Sequence, residues 1–320
     1  MAAAAGDDGD IFVYMGGDQQ VPRGVRRAKI HKSVKIVRAR AFQYCYHLVY
    51  VEFHDGVEII EQFAFYCCSS LRGAVRLMGI KIIKQAAFYN TGLTDVEFGD
   101  KLETLERSAL NSCFKLKNIR IPSVETIGKF AFAWCLELSN IQFGEGLKRL
   151  QEKTFMRCDK LKQIALPLKN NMFEGGLLFG YCPMLTTVDL VGGVHNTVAS
   201  LHMESWRNET RNKIKRINEV LPTLRSGEEK AAEVQQWMES VIRLLDECKD
   251  KHHKILKEAT TLLELALWKA NLGDNRGGQL EREGVRITRG SKKRARREIC
   301  VTSGASIVIK NVLPYLQLLE

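Results

Sequence analysis

The chain of 320 residues is 45% hydrophobic and 27% charged, the balance of a soluble globular protein, and its length admits two domains of roughly 100–200 residues. No run of about 20 apolar residues occurs, which excludes a membrane-spanning helix. The net charge of +11 is spread along the chain except in residues 282–297, where eight basic residues stand against one acid. The first ten residues are alanine, glycine and acids and are expected to be disordered. They lack the basic start and the apolar stretch of roughly 7–15 residues that a secretory signal needs, so an intracellular setting, cytoplasmic or nuclear, is expected. Nine cysteines, an odd number in a large chain, then read as free thiols rather than a disulfide framework.

From residue 11 to about 195 one phrase recurs: small residue, Phe, two residues, Cys, two residues, Leu, two residues, aliphatic, one residue, aliphatic or Phe. It runs Ala41, Phe42, Cys45, Leu48, Val51, Phe53, then again Ala131, Phe132, Cys135, Leu138, Ile141, Phe143, and Thr154, Phe155, Cys158, Leu161, Ile164, Leu166. Ala109, Leu110, Cys113, Leu116, Ile119, Ile121 replaces the Phe by Leu. The aromatic position falls at 42, 65, 88, 110, 132, 155 and 179, at intervals of 22 to 24 residues, inside the roughly 20–29 of leucine-rich repeats. Two copies are irregular. Around Phe88 the cysteine becomes Thr91 and the leucine arrives one residue early, at Leu93; around Phe65 the strand shifts one place, to Val75 and Leu77. A half copy, Val25, Ala28 and Ile30, reads as an N-terminal cap.

The end of each phrase alternates with period 2, which makes a short strand with alternate side chains inward. A second apolar pair precedes each Phe, as in Val124 and Ile127 or Leu147 and Leu150, and predicts a second extended side with Phe and Cys at the turn between. A single coil cannot bury its own apolar face, so neighbours must stack.

The phrase Ile-Gly-x-x-Ala-Phe-x-x-Cys-x-x-Leu, nearly complete at Ile127, Gly128, Ala131, Phe132, Cys135 and Leu138, resembles the BspA-type leucine-rich repeat over about residues 25–190. The whole chain is similar to algal repeat proteins with a helical tail. The resemblance implies a solenoid and brings no activity with it. Bacterial surface members of that family carry export signals, so a surface-adhesin role is not expected here.

Past Leu190 the period changes. Trp206, Thr210, Ile214, Ile217, Leu221 and Leu224 predict an amphipathic helix over about 197–221, stopped by Pro222. Ser226 and Glu229 form a capping box that opens a second helix, ended by Gly273, with Val234, Met238, Val241, Leu245, Cys248 and Ile255 on its apolar line. The expected organisation is α+β: a leucine-rich-repeat solenoid over 11–195, a helical hairpin or coiled coil over 196–273, a basic linker over 274–297 and a C-terminal hairpin and docking tail over 298–320. The second helix overhangs the first at Leu256–Trp268. The last repeat's edge and the segment Ser306–Leu319 together are expected to cover that overhang; a second subunit, making a homodimer, is the other candidate.

Chemistry-bearing motifs are few. The stacked cysteines have the wrong spacing for zinc, and Cys248 with His252 lies on an apolar helix seam; no metal or cofactor is expected. No phosphate loop, serine elbow or HExxH occurs, and no enzymatic activity is expected. The outward positions of the repeat strands remain: Arg27, Lys29, Tyr50, Glu52, Arg76, Asp95, Glu97, Asn118, Arg120, Asn140, Gln142, Gln163, Thr187 and Asp189. Solenoids hold partners on such strips, so the expected function is a protein–protein interaction scaffold. The alternative is a nuclear nucleic-acid-associated adaptor acting through 282–297, above all Lys292, Lys293, Arg294, Arg296 and Arg297. No aromatic residue interleaves that run, which argues against single-strand stacking.

Overall fold

The computed structural model describes residues 11–201 and 203–280, with side chains as far as Lys269. Parallel coils stack through two ladders, as the two apolar pairs per repeat predict. One face carries Phe12–Tyr14, Arg27–Ile30 and Tyr50–Glu52 as a three-stranded sheet, followed by a six-stranded sheet of Arg72–Leu77, Gly92–Phe98, Asn118–Ile121, Asn140–Phe143, Gln163–Pro167 and Thr187–Val191. The other face is a seven-stranded sheet of two- and three-residue strands, from Ile36–Val37 to Phe173–Glu174. Equivalent residues pair in register, as Asn118 with Asn140 and Asn140 with Gln163.

The repeated Phe residues are buried and stacked. Ring centroids of Phe42 and Phe65 lie 4.8 Å apart, Phe65 and Phe88 5.1 Å, Phe132 and Phe155 5.9 Å, and Phe155 and Phe179 5.9 Å. Leu110 interrupts the column. Two residues before and two after that position, the chain takes a left-handed conformation in every coil, from Arg40 and Tyr44 to Leu177 and Tyr181, with φ between 51° and 61°. Such backbone is costly for non-glycine residues. Here it is imposed by bonds to the next coil: the amides of Arg40, Phe42 and Tyr44 donate to the carbonyls of Gln62, Ala64 and Tyr66.

The cysteine ladder has the bland role its spacing suggests, with one addition. Five of the buried thiols donate to a carbonyl of the preceding coil: Cys68 to Phe42, Cys113 to Phe88, Cys135 to Leu110, Cys158 to Phe132 and Cys182 to Phe155, at 2.9–3.3 Å. Cysteine therefore fills the turn and satisfies a carbonyl there. Burial pushes the Cys45 and Cys113 thiols up to about 11.

The helical part departs from its predicted boundaries. The first predicted helix is two: α1, Val194–Ala199, and α2, Glu204–Val220, followed by the 3-10 turn Leu221–Thr223 at Pro222. At the end of α1 the Ser200 hydroxyl donates to the carbonyl of Thr197. The capping box is formed as read, with Glu229 N–H donating to Ser226 Oγ and Ser226 N–H to Glu229 Oε2. It opens α3, Gly227–Leu280, which runs through Gly273, so residues 274–280 are helix and not linker. A lone glycine costs a helix only about 1 kcal/mol and stops it only when it turns left-handed. The rest of the predicted linker, the C-terminal hairpin and the docking tail lie outside the described residues, as do residues 1–10.

Contacts divide the chain into two units, Met1–His195 with Arg211–Ile242, and Asn196–Thr210 with Arg243–Glu320. In the first, α2 and α3 fold back on each other, Trp237 Nε1 donating to the Lys213 carbonyl at 2.8 Å. In the second, Cys248 and Ala259 are buried, whereas Leu262, Leu265, Leu267 and Trp268 are exposed. Of the two expected covers of that overhang, the last repeat's edge belongs to the other unit, and Ser306–Leu319 lies outside the described residues.

Candidate binding surface

Period-2 alternation sends every other strand residue outward, and the structure places all fourteen strip residues at exposed or half-buried positions. Arg27, Lys29, Tyr50 and Glu52 lie on the three-stranded sheet; the other ten lie on the six-stranded one. They are cross-linked between coils. Lys29 pairs with Glu52 at 2.7 Å and Arg76 with Glu97 at 3.0 Å. Asn140 donates to Asn118 Oδ1 at 2.9 Å, Ser139 joins the same oxygen, and Gln163 donates to Asp189. The six-stranded part forms a trough of about 890 Å³. Ala74 and Ala165 belong to its lining; they occupy outward positions that a search for polar residues passes over.

Four cations, Arg27, Lys29, Arg76 and Arg120, face four carboxylates, Glu52, Asp95, Glu97 and Asp189. The strip is electrically balanced, and its centre is amide-rich. It offers donors and acceptors in a fixed array without the net positive charge that a phosphate backbone requires.

Both ends of the stack are closed, by residues the sequence reading missed. At the first strand the outward backbone groups are taken by one side chain: Met15 N–H donates to Gln19 Oε1, and Gln19 Nε2 donates to the Val13 carbonyl. The Gln19 amide thus substitutes for a peptide group of a further strand, blunting an edge that would otherwise template pairing. Tyr14 covers the Phe column, its ring 5.3 Å from that of Phe42, and its hydroxyl accepts the Arg38 amide. At the last strand Asn218 Oδ1 accepts the Val188 amide at 2.8 Å. Lys230, 1% exposed, donates its ammonium to the carbonyls of Cys182, Pro183 and Leu185 at 3.3, 3.0 and 2.9 Å. Gly227 approaches so closely that a Cβ there would stand 1.9 Å from the Phe179 carbonyl oxygen. No local pattern marks Lys230, because its partners lie 45 to 48 residues away.

The turn ridge is a second feature that period-2 reasoning overlooks. Among its left-handed positions Arg157 lies between Trp134 and Tyr181, at 4.6 and 5.5 Å from their ring centroids. No group of three metal-ligating side chains converges among the described residues. Cys248 is buried and its thiol pKa is raised by that burial. Lys292, Lys293, Arg294, Arg296 and Arg297 lie outside the described residues.

Solved structures similar to the chain are repeat proteins. A leucine-rich repeat protein of T. pallidum is 23% identical over 56% of this chain and 71% of its own, with a TM-score of 0.36. One from Bacteroides ovatus is 18% identical over 57% and 65%, with a TM-score of 0.29. The pneumococcal vaccine antigen PcpA is 14% identical over 55% and 65%, with a TM-score of 0.36. The chain spans less than two thirds of the last two, so nothing of those proteins' activities is carried over. No curated protein matches. The BspA type leucine-rich repeat region matches in six copies, over residues 24–122 and 81–208, more than half of the chain, and the stacked coils with their Phe and Cys columns are what such repeats build: the protein belongs to the BspA-type leucine-rich-repeat family.

Proposed function

We propose that this protein is a non-enzymatic interaction scaffold that holds a protein partner on the outward strip of its solenoid. A leucine-rich-repeat solenoid suits protein partners because its core stays constant while the outward residues vary. The observation that carries the finer reading is the balanced strip itself, four charges of each sign flanking the amide cluster of Asn118, Asn140, Gln142 and Gln163. Balanced polar arrays discriminate between protein surfaces by complementarity rather than by bulk charge. The expectation of an intracellular setting stays part of the proposal and is tested by imaging a tagged full chain.

The test is capture of partners by the full chain and by Asn140→Lys/Gln142→Lys, with Lys148→Gln, just before a strand of the opposite sheet, as control. A partner held by the strip is lost from the double variant, kept by the control, and tolerant of moderate salt. A partner kept by the double variant, or shed steeply as salt rises as phosphate contacts are, refutes the reading. A chain cut at residue 195 is an unsuitable comparison, because it removes Asn218, Gly227 and Lys230 from the last coil.

A further inference from the structure

The two irregular coils adjoin, and their irregularity has a chemical consequence. In regular coils two residues separate Cys from Leu: Tyr46 and His47, Phe114 and Lys115, Leu136 and Glu137, Asp159 and Lys160. In the Phe88 coil only Gly92 stands between Thr91 and Leu93. The preceding coil adjusts with a register shift between Gly73 and Ala74, Gly73 taking φ +86°. Gly92 is drawn against that coil so tightly that a Cβ would meet the Ser69 and Leu71 carbonyl oxygens at 2.8 and 3.0 Å. The missing residue leaves a notch of about 390 Å³ beside Gly92, walled by Arg26, His47, Ser69, Ser70, Arg72 and Lys115.

Among the described residues that line the notch, Arg72, Lys115 and His47 stand with Ser69 and Ser70, beside Arg26 and Val49, and none is a carboxylate. Further along the same column Lys160 is neutralised by Glu137 at 2.7 Å, and Lys81, Lys84, Lys129 and Lys148 each have a glutamate on an adjacent coil. On the Gly92 side of Lys115 the shortened loop deletes the equivalent column position, between Ser70 and Lys115. An arginine fork, an ammonium and two hydroxyls around one small cavity match the tetrahedral oxygens of a dianion better than a planar monoanionic carboxylate. The volume lies at the small end of ligand pockets, roughly 300–1,000 Å³, and suits a compact group rather than a polymer.

We propose that this notch binds a phosphomonoester group, with Arg72 and Lys115 carrying the charge and Ser69, Ser70 and His47 donating further hydrogen bonds. The site is independent of the strip and stands or falls separately. Calorimetric titration of the full chain with inorganic phosphate, O-phosphoserine and a phosphoserine-containing peptide tests it. One saturable site is expected. Its affinity should fall by about tenfold or more in Arg72→Gln/Lys115→Gln, since each charge-assisted bond contributes roughly a factor of ten. Ser70→Glu, which places a carboxylate beside Lys115, should abolish it, whereas Lys293→Gln/Arg294→Gln should leave it unchanged. Equal affinity for phosphoserine and peptide marks a small phosphorylated compound as sufficient ligand; tighter peptide binding marks a phosphorylated protein. Either supports the site. Absence of saturation by all three probes overturns the proposal. So does unchanged binding in a double variant that melts like the parent, or a loss confined to the Lys293/Arg294 variant.

Discussion

Replacing Lys230 by methionine keeps the length of the stem and removes the ammonium that closes the last coil. Three carbonyls, of Cys182, Pro183 and Leu185, lose a donor at 3.3, 3.0 and 2.9 Å. An unsatisfied buried polar group costs about 1–3 kcal/mol, and the longest of the three bonds is weak. Against this, the variant no longer desolvates a charge; that burial is what pulls the Lys230 pKa below the ordinary lysine value, and its relief returns part of the loss. The net destabilisation expected is about 2–3 kcal/mol. Lys230→Ala should cost roughly 1–2 kcal/mol more for the lost packing of the stem. Because a solenoid is held by nearest-neighbour terms, the damage should be local. Urea unfolding measures the size of the effect, and amide exchange read by mass spectrometry measures its place: protection should fall first over 177–191 and stay unchanged over 36–83. A methionine variant as stable as the parent, or a uniform loss of protection, would refute the assignment of Lys230 as the terminal cap.

Phe132→Ala opens the stacked column at a fully buried position and should cost about 3–5 kcal/mol in denaturant unfolding; a loss below about 1 kcal/mol would show that the column is not tightly packed. Gly144→Ala would set a Cβ 1.7 Å from the Pro122 carbonyl oxygen, a backbone clash worth at least about 1–3 kcal/mol, and a melting temperature equal to the parent's would contradict that approach. The buried thiols predict alkaline weakness. Cys45 and Cys113 ionise at about 11 in the folded chain, and burial also raises Cys68, Cys135 and Cys158, whereas an unfolded thiol ionises near about 8.5. Their contribution is therefore whole below about pH 8.5 and drains away as pH rises towards the folded values, by up to about 1.4 kcal/mol per unit for each thiol. Under reducing conditions Cys45→Ala/Cys113→Ala should lose stability less steeply between pH 8.5 and 10, and parallel slopes would remove the thiols as the cause.

The candidate strip was legible because a strand's alternation is a local property: once Ile119 and Ile121 face inward, Asn118 and Arg120 must face out. The notch was half legible. The early Leu93 shows a missing residue in the sequence, but the cavity needs Arg26, His47, Arg72 and Lys115 from other coils to stand around it. The predicted helix ends differ from the structure between Ala199 and Glu204 and at Gly273, because apolar periodicity marks the buried face of a helix and not its ends.

What the amino-acid order settled alone is the coil: a spacing of 22 to 24 residues with Phe, Cys and Leu at constant offsets admits one way of burying them, since each column is apolar only if neighbouring coils align. What the tertiary structure decided is how the stack begins and stops. Gln19, Tyr14, Asn218, Gly227 and Lys230 close its ends. They do so by satisfying backbone groups that repetition leaves open, and such groups exist only where the repetition ends.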